Sequence, residues 1–122
     1  MSIRERMAAA TKRRYMEREF PIVGNVRIQS LTAREMQLVR SRFQAADGTP
    51  VKAELDRIRQ YLVAATLVDE NGATVYALDD VANGKLDELD GGLLDAMTDA
   101  IKQHTGWGAE AGWSAVVDAA KN

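Results

Sequence analysis

His104 is the single histidine of the chain, and there is no cysteine. Without a second imidazole or any thiolate the common zinc ligand sets cannot be assembled, and a nucleophilic triad would have to rest on this one ring. The residue falls where a helical pattern ends, and an imidazolium there suits the negative end of a helix dipole. Asp79-Asp80 and Asp87-Glu88 are carboxylate pairs, but adjacent residues point apart on a helix and make no acid–base dyad. Asp69-Glu70-Asn71-Gly72 has the acidic start of a calcium loop without its ladder of ligands, so turn chemistry is the better reading. There is no phosphate loop and no G-x-S-x-G. The residues predict no catalytic, metal or cofactor site, and the chain reads as a non-enzyme.

Two stretches carry binding chemistry instead. Lys12-Arg13-Arg14, followed by Tyr15, could touch nucleic acid, although a basic strand edge facing solvent explains it as well. Trp113, Val116 and Val117 share one face of a helical spacing near the C-terminus, beside Trp107, the other tryptophan. Such aromatics either pack back on a small core or anchor a partner. The candidate partner-binding residues are therefore Trp113, Val116, Val117, Lys12, Arg13 and Arg14.

With 122 residues, 46% of them hydrophobic, the chain suits one domain with a modest core. A formal charge of −2 argues against wrapping nucleic acid by bulk electrostatics. The start is basic (Arg4, Arg6, Lys12 to Arg14, Arg18) and the second half acidic (Asp69, Glu70, Asp79, Asp80, Asp87, Glu88). No apolar run is long enough to span a bilayer, and Met7 to Ala10 is too short for a signal peptide core. A soluble intracellular protein with no membrane partner is expected.

The elements that must position these residues follow from periodicity and punctuation. Ser2 with Glu5 has capping-box spacing and predicts a short helix to about Thr11. Lys12 to Phe20 reads as a strand, since Pro21 disfavours helix at the residue before it. A turn at Gly24-Asn25 would lead into a second strand over Val26 to Ser30. Thr32 and Glu35 form a capping box for a helix with Met36, Val39 and Phe43 on its apolar stripe, and Leu31 can staple against Met36. Asp47-Gly48-Thr49-Pro50 is a break. Val51, Leu55, Ile58, Tyr61, Leu62 and Ala65 then recur at three- and four-residue steps, predicting one buried helix from Val51 to Ala65. The β-branched residues around Asn71-Gly72 predict a second hairpin ending in Val75-Tyr76. Asp79 or Asp80 would cap a helical turn, and Leu93, Leu94, Met97 and Ile101 mark a last helix stopped at Gly106. The expected fold is α+β: about four helices on one or two short antiparallel hairpins, as a single domain over 1–106. An amphipathic C-terminal tail covers 107–122, with a mobile and a docked state both open.

The order of these elements, with Val26 to Glu35 leading into a long helix, Leu67-Val68-Asp69-Glu70-Asn71-Gly72 running to Val75-Tyr76, and an Ala120-Lys121-Asn122 ending, resembles the tail assembly chaperones of long, flexible-tailed (siphovirus-type) bacteriophages. The resemblance spans nearly the whole chain, on motifs that are mostly turn and cap chemistry. It implies a non-enzymatic phage or prophage factor that coats the helical tape measure protein, keeps it from aggregating and helps recruit tail tube subunits. In that family a frameshifted, longer product carries the tube-binding extension, and codons for Ala120-Lys121-Asn122 could contain the slippery heptamer. The implied location is the cytoplasm of the bacterial host, with the protein absent from the mature virion. Self-association is open, and neither nucleic acid nor a cofactor is expected. The alternatives are a tail-completion or connector module retained in particles, and a small nucleic-acid-binding regulator using Lys12 to Arg14.

Overall fold

Helix α3 (Ile58–Thr66) buries side chains all the way round its axis: Ile58, Gln60, Tyr61, Leu62, Val63, Ala64 and Thr66 are all inaccessible to solvent. The computed structural model describes residues 2–106. Around α3 lie α1 (Ile3–Ala9), β1 (Tyr15–Phe20), β2 (Gly24–Gln29), α2 (Ala33–Arg40), a 3-10 helix (Lys52–Arg57), β3 (Leu67–Val68), α4 (Leu78–Ala82) and α5 (Gly91–Thr105). The result is a small α+β domain in which α5, α2, α4 and the 3-10 helix all pack on α3. Phe20 and Ile28 bring the sheet into the same core as Phe43, Tyr61, Leu62 and Ile101.

Local chemistry places most of the boundaries. The Ser2 hydroxyl accepts from the Glu5 N–H and starts α1. Thr32 and Glu35 make both halves of the expected capping box, at 3.1 and 2.8 Å, satisfying two N–H groups that α2 would otherwise leave unpaired. Asp90 accepts from the Leu93 N–H to start α5. Gly106, at φ 75°, ends it in the left-handed conformation that glycine adopts without steric cost.

The sheet has strand order β1-β2-β3, antiparallel throughout. Tyr15 pairs with Gln29 and Phe20 with Gly24, so Gly24 already lies in β2. The turn expected at Gly24-Asn25 is instead at Pro21 to Val23, where the Val23 N–H donates to the Pro21 carbonyl at 2.9 Å. Pro21 cannot donate to a ladder, which moves the reversal toward it. The second hairpin is also shorter than expected. After Leu67-Val68 only a single bridge, Val68 to Thr74, continues the ladder. The Asp69 carboxylate accepts from the N–H groups of Asn71 and Ala73, tightening the loop as an Asx turn. Val75-Tyr76 is not a strand, because Tyr76 turns toward the core and Ala77 leads directly into α4. This loop folds over the outer face of the sheet. Arg27 stacks at 4.1 Å on the Tyr15 ring and donates to the Glu70 carbonyl.

Two further expectations are corrected. Asp79 and Asp80 do not precede α4; Asp80 is inside its first turn and reaches back to accept from the Ala77 N–H at 2.9 Å. The helix predicted from Val51 to Ala65 is divided, with 3-10 geometry up to Arg57 and α geometry after it. In a 3-10 helix residues three apart eclipse, which puts the Glu54 carboxylate beside the Arg57 guanidinium. The other side of Arg57 is bound to Asp87 and to the Ala82 carbonyl, at 3.1 Å each. Contacts with a segment twenty-five to thirty residues away thus hold the last residue of the 3-10 helix.

Glu54 also accepts the hydroxyl proton of Tyr61 at 2.7 Å. Burial, together with that carboxylate, pushes the Tyr61 phenol up to about 12 from its ordinary 10.0. A raised folded-state value means a stabilising contribution fully present below pH 10 and lost as pH rises through 12. Tyr61→Phe is therefore expected to cost about 1 kcal/mol near neutrality. The gap in urea midpoint between wild type and variant should narrow as pH rises above 10. A gap that stays constant would show that the hydroxyl is not held by Glu54.

Candidate functional site

The basic segment sits in the connection between α1 and β1. One loose turn, with the Thr11 and Lys12 N–H groups donating to the carbonyls of Ala8 and Ala9, delivers Arg13 and Arg14 to the end of β2. Ser30 receives them. The Ser30 N–H donates to the Arg14 carbonyl and the Ser30 hydroxyl accepts from the Arg14 N–H, both at 2.8 Å. The Arg13 guanidinium donates to the Ser30 carbonyl at 2.7 Å and to the Glu35 carboxylate at 2.9 Å.

The three consecutive basic residues therefore do not form one surface. Arg13 is turned inward as a joint between the end of β2 and the start of α2, with about a third of its side chain exposed, like that of Glu35. Lys12 and Arg14 remain exposed. They border an open depression of about 340 Å³ that Ala10, Thr11, Arg13 and Ser30 to Ala33 also line. His104 lies nearby, its Nε2 3.4 Å from the Arg14 carbonyl, so the C-terminal end of α5 closes the same corner. What this corner presents to a partner is two cations and a helix N-terminus already satisfied by its own capping box.

Apolar features are distributed elsewhere. A cavity of about 130 Å³ opens between the sheet and the helices. Val23, Val26 and Leu67 form its sheet wall, Leu89, Leu93 and Met97 its helical wall, and Val63 belongs to its lining from α3. Tyr76 is the one lining residue with a polar side-chain atom. A second apolar depression, about 200 Å³, lies where Leu38 and Val39 of α2 meet Ala64, Ala65 and Tyr76. Ile22, Val23, Leu38 and Val75 are exposed.

Sequence reasoning missed both depressions. Pro21-Ile22-Val23 carried a signal, since apolar residues in a turn have no core to face, but Leu89 and Tyr76 are joined to it only by the fold. The methionines divide: Met7 is exposed, Met16 and Met36 are half-buried, and Met97 is core. Trp113, Val116 and Val117 lie outside the described residues. Among the described residues no three His, Asp or Glu side chains gather into a metal site, and no helix is long and apolar enough to cross a membrane.

Burial opposes ionisation of Glu35, but the hydrogen bonds from Arg13 and the Thr32 N–H outweigh it and hold the carboxyl below its ordinary 4.5. A lowered folded-state value gives stability that is present above pH 4.5 and lost as pH falls through the folded value. Arg13→Gln is expected to cost about 1 kcal/mol, since the pair is part-exposed and screened, and to flatten this acid limb in urea denaturation. Lys12→Gln and Arg14→Gln should leave the urea midpoint unchanged. Equal losses for all three would mean that Arg13 has no joint role.

Comparison with protein-family models, curated proteins and solved structures finds no match to this chain.

Proposed function

We propose that the chain is a tail assembly chaperone of a long, flexible-tailed phage or prophage: a non-enzymatic factor that covers the tape measure protein and helps bring tail tube subunits to it. The observation that carries this reading is the pair of stretches Val26 to Glu35 and Leu67 to Tyr76, which resemble that family's motifs in the same order along one small α+β domain. The surface suits the role. Ile3, Met7, Ile22, Val23, Leu38 and Val75 are apolar and exposed, spread over α1, the first hairpin, α2 and the loop before α4. Small dispersed apolar contacts, with methionine among them, fit a long rod whose surface varies along its length. Such a factor works in the bacterial cytoplasm and is left out of the finished particle.

Co-expression tests the proposal. A tape measure reading frame from the same genome should yield aggregated protein alone and soluble protein together with this chain. Purified particles should contain none of it. Recovery of the chain in particles at fixed stoichiometry, with no gain in tape measure solubility, would overturn the reading in favour of a retained structural module.

A further inference from the structure

An exposed apolar knob stands beside an apolar hole on one face of the molecule. The knob is Ile22 at the tip of the β1–β2 hairpin, 76% exposed. Its φ is 76°, in the left-handed region that β-branched residues avoid and that Asn, Asp or Gly would occupy more easily. The Val23 N–H to Pro21 carbonyl bond closes a three-residue turn that holds Ile22 at this φ, and it leaves the isoleucine side chain in solvent. The hole is the cavity of about 130 Å³ between Val26 and Leu93, close in size to apolar cavities that stay dry and accept a benzene-sized guest. Val23, next in sequence to Ile22, lines it, so knob and hole adjoin.

The charges around the mouth are divided in the same sense. On the sheet side Arg18, the cross-strand partner of Val26, is exposed. On the helical side Glu88 and Asp90, flanking the lining residue Leu89, are exposed too. Among the described residues neither Arg18 nor Glu88 takes part in an ion pair. The sheet side of the mouth thus offers a free cation and the helical side exposed carboxylates, charges that could pair between two copies. Self-complementarity in shape and charge is what an isologous interface requires.

The geometry points to a second copy of this chain as the occupant: a two-fold homodimer in which each Ile22 enters the other copy's cavity, flanked by Arg18 against Glu88 and Asp90. The free edge of β1 offers the rival arrangement, and its charges oppose it. The Arg14 carbonyl and N–H both turn toward Ser30, so alternate residues from Tyr15 onward turn their N–H and C=O groups outward. Two-fold antiparallel pairing of identical strands must centre on one residue facing itself. Centred on Glu17, Arg18 or Glu19 it sets like charges opposite, and centred on Met16 it opposes Arg14 to Arg18. Centred on Tyr15 it opposes Lys12 to Arg18, while Arg13, which would meet Glu17, is already held by Ser30 and Glu35. The inference does not depend on the chain being a tail chaperone.

Sedimentation velocity on the full chain over a concentration series is the test. A reversible monomer–dimer equilibrium is expected. Ile22→Asn puts a residue that tolerates the backbone conformation in place of the knob, so Tm should hold or rise. The dimer dissociation constant should rise about tenfold or more, because two apolar side chains are lost per dimer. Arg18→Glu should also weaken the dimer, and adding Glu88→Arg should restore it. A chain that stays monomeric at every concentration overturns the proposal. So does a dimer indifferent to Ile22→Asn, which would place the contact elsewhere, and so does a charge reversal that the second substitution does not rescue.

Discussion

A nine-residue helix buried on every face holds its place only if neighbours cover it from all sides, and α3 sets that demand on the rest of this chain. Its buried polar groups have to find partners without water, and among the described residues the Gln60 side-chain oxygen has none. The Thr66 hydroxyl donates to the Leu62 carbonyl within the helix, and the Gln29 amide donates to the Ala65 carbonyl at its C-terminal end. Gln29 stands at the end of β2, so one hydrogen bond ties the central helix to the sheet. The 3-10 segment, α2, α4 and α5 supply the remaining cover. The helices supply most of the cover of α3, and the sheet joins the same core through Phe20 and Ile28.

Polar joints between distant segments then fix how these layers meet. Arg13 links β2 to α2 through Ser30 and Glu35. Arg57 links the 3-10 segment to the stretch after α4 through Ala82 and Asp87. Each arginine is only partly exposed, with its planar fork shared between a carbonyl and a carboxylate, a geometry that lysine would not reproduce. Salt links nearer to water, such as Arg42 with Asp79 and Lys85 with Asp80, contribute less, because solvent screens them.

What the enclosed core leaves outside is a set of small apolar features at separate places. Among the described residues the depression bordered by Lys12 and Arg14 is open and partly polar, whereas those lined by Leu38 and by Val26 are apolar with few polar atoms. The hairpin tip stands out among them, since its backbone departs from what its residue type prefers. Positions of that kind are retained when surroundings or function require them.

Several hydrogen bonds that span four residues or fewer can be read from the sequence, although the Pro21–Val23 turn and the Asp80 cap of α4, equally short, cannot. Ser2 with Glu5, Thr32 with Glu35, the Asp69 to Gly72 reversal and the stop at Gly106 were all legible, and with the apolar periodicity they were enough for the fold class. Tertiary structure decided the rest, because the competing states differ by little locally and remote contacts choose between them. Both turn geometry beside Pro21 and 3-10 geometry at Lys52 to Arg57 are permissible locally. In the fold the first goes with the pairing of Phe20 with Gly24, and the second with the grip of Asp87 on Arg57. Lys12, Arg13 and Arg14 look equivalent in sequence, yet only Arg13 meets Ser30 and Glu35, and that difference separates a joint from a surface. The apolar cavity belongs to no single stretch. Val23, Val63, Tyr76 and Leu89 come from four elements and loops, and only their packing makes a hole.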